Sequence, residues 1–131
     1  MKIRPRVACF DIIVLLLTAP AASAQSLPQL RQGMPYVQAR QLLLGAGWQA
    51  DIVNPNHLEE LQQRLTGWFH KKGYAEISNC MPTGLGLCSG AFKNVRGQCL
   101  SISTSEPPDE NEARGPKLVE WQFVRGACKG R

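Results

Sequence analysis

The chain has 131 residues, five cysteines and a formal net charge of +5. A chain of this length makes one small domain that leaves about a third of its unfolded surface exposed, so it needs staples. The first 24 residues account for +2 of the charge through Lys2, Arg4, Arg6 and Asp11, and the +3 that remains is too mild a surplus for a nucleic-acid surface.

Those first residues read as a secretory signal peptide. Lys2, Arg4 and Arg6 give a basic start, residues 12–17 an uninterrupted apolar run, and Ala22-Ser23-Ala24 a small-residue cleavage site. The run is too short to span a bilayer. We therefore expect cleavage after Ala24, a working chain of residues 25–131 in the periplasm or outside the cell, and no stable membrane insertion. Cys9 precedes the apolar run, where a lipid anchor would need a cysteine at its end. It leaves with the signal, and Cys80, Cys88, Cys99 and Cys128 remain as an even set in an oxidising compartment. Four cysteines allow three pairings. We favour Cys80–Cys88 across a short Gly-rich turn and Cys99–Cys128 joining a late strand to the tail. The second bridge closes about 30 residues, worth ~3 kcal/mol in the chain-entropy model.

Residues 25–32 form a lead in which Pro28 discourages helix. From Pro35 the pattern turns helical: Val37, Ala39, Leu42, Leu43, Leu44 and Ala46 fit three turns that open on proline and end at Gly45 or Gly47. Residues 48–53 then alternate as a short strand, with Trp48, Ala50 and Ile52 on one face and Gln49 and Asp51 on the other. Asn56 is the expected cap of a second helix, with Glu59 and Glu60 in its first turn. Leu58, Leu61, Leu65, Trp68 and Phe69 make its apolar stripe, and Lys71-Lys72-Gly73 its end.

After Gly73 the period drops to two. Residues 74–79, 87–95, 98–104 and 117–125 read as four strands, with Arg96-Gly97 a tight-hairpin candidate and Thr83-Gly84-Leu85-Gly86 linking the first two. Leu100 and Ile102 share one face of the third strand, and Val119, Trp121 and Phe123 one face of the fourth. Residues 105–116, with Glu106, Asp109, Glu110 and Glu112 among prolines, read as an acidic surface loop. The fold class is α+β: two helices packed on a mainly antiparallel sheet, disulfide-stapled.

The stretch from Gly33 to Trp48 resembles the opening helix of PASTA domains, small extracytoplasmic modules of penicillin-binding proteins and bacterial Ser/Thr kinases. Gly33, Ala39, Leu43 and Gly47 reproduce that family's glycine, alanine, leucine, glycine spacing. The G-M-P-Y-x-x-A-R opening, with the later Cys80-to-Cys88 turn, is also similar to that of small exported bacterial proteins, a likeness that brings no activity with it. The PASTA resemblance implies cell-wall association. The second helix and the cysteines depart from that family, and no binding residue is carried over.

Catalytic and metal chemistry find little support. His57 and His70 are the only histidines, short of a zinc set, and no nucleophile motif surrounds Ser89. The acidic loop lacks the alternating oxygens of a calcium loop, and Thr83-Gly84-Leu85-Gly86 lacks the lysine and following helix of a phosphate loop. No cofactor is expected. Trp48, Trp68 and Trp121 sit at core-facing positions, and Trp48, beside a turn, is the one best placed to stack on a sugar ring. Tyr36 and Arg40, four apart, are the other contact candidates on that side. We expect a non-catalytic envelope module whose partner is cell-wall polymer or an envelope protein. The alternative is a secreted inhibitor or accessory subunit that presents Thr83 and Leu85 on the disulfide-held loop to a protein partner.

Overall fold

The computed structural model describes residues 26–82, 86–107 and 115–128, with backbone alone at 126 and 127. The signal-peptide region, Thr83, Leu85, Asp109, Glu110 and Glu112 lie outside the described residues. The elements run α1 (Tyr36–Gly45), β1 (Gln49–Ala50), a 3-10 turn (Pro55–His57), α2 (Glu60–Lys71), β2 (Ile77–Cys80), β3 (Cys88–Lys93), β4 (Gln98–Thr104) and β5 (Leu118–Ala127). All strand pairs are antiparallel, in the order β1-β3-β4-β5, and β2 also pairs with β3. Both helices pack against one face of this sheet. The two disulfides are Cys80–Cys88 and Cys99–Cys128.

Both helices stop in the same way. Gly47 and Gly73 take positive φ (90° and 82°), a conformation glycine adopts without steric cost. The next residue then donates back five positions: Trp48 N to Leu43 O at 3.0 Å, and Tyr74 N to Phe69 O at 2.9 Å. Each ending is a Schellman motif that turns an aromatic residue inward, and Trp48 and Tyr74 both join the core cluster.

That core comes from alternate positions. Phe92 and Leu100 lie in one row across the sheet, continued by the half-exposed Phe123, and Gly90, Ile102 and Trp121 lie in the next. Above them sit Tyr36, Ala39 and Leu43 from α1 and Phe69, Leu65 and Trp68 from α2. Thr66 is buried on α2, whereas Leu61 of the expected stripe is largely exposed.

Three local expectations change. The strand expected over 48–53 is paired only at Gln49–Ala50: Asp51 N still reaches Ala91 O (2.9 Å), but Val53 N bonds Ala75 O (3.1 Å). The chain turns off β3 there, so Val53 is buried and Ile52 is 71 % exposed. The cap near 56 is Asn54, whose side chain accepts from Asn56 N at 3.0 Å, because Pro55 opens a 3-10 turn and the capping oxygen must precede it; α2 follows from Glu60. In β5 the register shifts between Ser103 and Thr104, opposing Ser103 to Glu120 and Thr104 to Leu118. Val119 is the extra residue of this bulge, and Leu118 takes its expected place in the core.

The start of α1 is pinned to the sheet edge. Gly33 N donates to Leu118 O (2.7 Å), Leu118 N to Met34 O (2.8 Å) and Tyr36 N to Pro116 O (2.8 Å).

Candidate functional site

Two polar constellations stand back to back across the β2 region. The first is inside. Glu76 has a fully buried side chain, and a buried carboxylate persists only where hydrogen bonds and a counter-charge replace water. Tyr36 donates its hydroxyl to Glu76 Oε1 at 2.5 Å, and Arg40 donates Nε to the same oxygen at 2.8 Å and Nη2 to Oε2 at 3.4 Å. The Arg40 guanidinium also lies 5.0 Å from the Tyr74 ring centre, a cation–π distance. Burial pushes the Tyr36 phenol far above its ordinary value, and the Glu76 charge adds to this. Burial works against the Arg40 charge, but the Glu76 hydrogen bond and charge prevail and its pKa is raised. Tyr36 and Arg40 thus meet on one carboxylate and hold in place the segment that leads into β2. Gly90 leaves room for this segment, since a Cβ there would stand 2.6 Å from the Glu76 carbonyl oxygen.

The second constellation is a hollow of about 280 Å³ on the other face of the sheet, which the helices do not cover. Alternation puts Ala91, Ser101 and Val124 on this face, opposite Phe92, Ile102 and Phe123. Asp51, Glu76, Ser78 and Arg125 add polar residues to its lining, so Glu76 borders both constellations, and the Cys99–Cys128 disulfide lines one part. Ser78 is only 7 % exposed, yet its hydroxyl has no hydrogen-bond partner among the described residues. Among the described residues no fully buried side-chain nitrogen or oxygen lacks a partner, so this hydroxyl keeps its access to solvent through the hollow it lines. Ser101 is likewise without a side-chain partner, and Arg125 forms no ion pair among the described residues. Asp51 stands 3.9 Å from Lys93 Nζ.

Of the residues singled out from sequence, Tyr36 is fully buried and Arg40 has a side chain 21 % exposed, both committed to Glu76. Trp48 is buried beside Phe123, with ring centres 6.0 Å apart, and its Nε1 points to Ser26 O at 3.4 Å. His57 is exposed on the 3-10 turn, while His70 Nε2 lies 2.6 Å from Ile77 O. Sequence reasoning missed Glu76, Ser78, Ser101, Asp51 and Arg125. The signal for Ser101 was present, since a serine between Leu100 and Ile102 must face away from the core.

Comparison with family models, with curated proteins and with solved structures gives no match. Among the described residues no helix is long and apolar enough to cross a membrane.

Proposed function

We propose that this protein is a non-catalytic binding module of the bacterial cell envelope, working after export and contacting cell-wall polymer through the hollow on the uncovered sheet face. The observation that carries the reading is Ser78, a residue only 7 % exposed that lines the hollow and whose hydroxyl has no hydrogen-bond partner among the described residues. Solvent in the hollow satisfies this hydroxyl, and a ligand entering the hollow can take the water's place on it. The basic, apolar and small-residue sequence of the first 24 residues and the two disulfides support an oxidising, extracytoplasmic workplace, and the PASTA-like spacing of α1 supports the wall as partner. Binding is favoured over catalysis because neither histidine lines the hollow, so its serines have no general base of that kind beside them.

The test is co-sedimentation of the purified, oxidised protein with insoluble peptidoglycan sacculi at physiological salt, next to Ser101→Arg, which fills the hollow from the floor. Saturable pelleting that the variant loses is the expected result. A protein that stays in the supernatant overturns the reading.

A further inference from the structure

The hollow also carries chemical information about what it takes, and the following step rests on the reading of it as the binding site. At about 280 Å³ it lies just below the usual range of ligand sites, about 300 to 1,000 Å³, so it accommodates a small group such as a dipeptide end rather than a long strand. None of its described lining residues is aromatic, and Trp48, Trp68 and Trp121 all lie elsewhere. A sugar ring seated there would find no flat apolar face on which to stack. Of the two acidic residues in the lining, Asp51 is paired with Lys93 and Glu76 is held by Tyr36 and Arg40; what remains for a ligand is two hydroxyls without a side-chain partner among the described residues, each able to donate and to accept, a patch of Val53, Ala91 and Val124 sized for methyl groups, and the Arg125 guanidinium, which forms no ion pair among the described residues.

A guanidinium fork matches the two oxygens of a carboxylate, and hydroxyls of this kind match the N–H and C=O of a peptide unit. We infer that the hollow is a peptide-carboxylate site: it takes the free C-terminus of a short peptide with small aliphatic side chains, Arg125 pairing with the carboxylate and Ser78 and Ser101 bonding the adjoining peptide unit. On this assignment the protein reads the peptide part of cell-wall polymer and not its glycan. The same chemistry would also accept a free peptide end from another source.

The experiment is a calorimetric titration of the purified, oxidised protein with alanylalanine in its L,L and D,D forms, with the matching C-terminal amides, and with chitotriose as the glycan probe. At least one of the two acids is expected to bind, its amide at least tenfold more weakly, and chitotriose not at all. Arg125→Gln should weaken the acid at least tenfold and leave the amide unchanged. Equal binding of acid and amide, indifference to Arg125→Gln, or binding of chitotriose alone overturns the assignment. Sacculi stripped of their peptides by amidase separate the two readings. If the protein pellets with intact sacculi but binds no dipeptide, the wall reading stands and the carboxylate site falls. If it binds the dipeptide acid but pellets with neither intact nor stripped sacculi, the carboxylate site stands and the wall reading falls.

Discussion

Under the helices, Glu76 is gripped by Tyr36 and Arg40, and Thr66 donates to Gln62 O at 2.7 Å. On the other face of the same sheet, Ser78 and Ser101 hold hydroxyls with no partner among the described residues. The two settings alternate along single strands: Ile77 is in the core and Ser78 in the hollow, Ile102 in the core and Ser101 in the hollow. One side has spent its polar groups on stability and the other has kept them in reserve. The difference is what supports the proposal that the uncovered face is the working one.

The comparison breaks most visibly at Glu76. Replacing it with alanine leaves the Arg40 charge and the Tyr36 hydroxyl without their acceptor and should cost about 3–5 kcal/mol in urea unfolding at neutral pH. A loss below about 1 kcal/mol would show that the cluster is no lock.

A smaller effect, with a pH signature, is expected at Tyr36. Tyr36→Phe removes one hydrogen bond to a buried carboxylate, worth about 1–3 kcal/mol. The folded chain keeps this phenol protonated well above its ordinary value of 10.0, whereas the unfolded chain ionises it there. Above that pH the unfolded state binds fewer protons than the folded one, so stability is fully present below pH 10 and falls as pH rises. At pH 11 this residue alone should account for about 1.4 kcal/mol of the loss relative to pH 8. Urea midpoints of the wild type should fall between those pH values more steeply than those of Tyr36→Phe, and parallel curves would refute the assignment.

The comparison is sharpened by the change with the smallest effect on folding. Ser78→Ala removes an unpaired hydroxyl and should leave stability within about 0.5 kcal/mol, while alanylalanine affinity falls several-fold. A drop of 2 kcal/mol or more in stability with unchanged affinity would move Ser78 into the structural half of the molecule.

Much of this fold is legible in the sequence because it rests on local signals. The 3.6 and 2 periodicities place two helices and the late strands, the glycines at 47 and 73 mark both helix ends, and the even cysteine set announces the bridges that form. Alternation misplaces the start of β5 because a bulge has no period, and Val119 looks as good a core residue as Leu118 until the register is known. Ile52 is exposed for a related reason: alternation cannot say where a strand leaves its neighbour, and here it does so after Asp51. The polar site was least legible. Tyr36 and Arg40 are neighbours on a helix, but their acceptor stands 40 and 36 residues away, and nothing in the local pattern near Glu76 sets it apart from a surface glutamate.

The hydrogen bonds that tie residues 33–36 to residues 116–118 also set an order of events. The opening segment of the domain has its pairing partner at the start of the final strand, so a chain emerging from its N-terminus carries α1 without that support until nearly all of it has appeared. Contacts of such sequence separation form late and slowly. A ribosome would therefore release most of this chain before its edge could close, and the polypeptide would remain threadable for as long as its last strand was withheld.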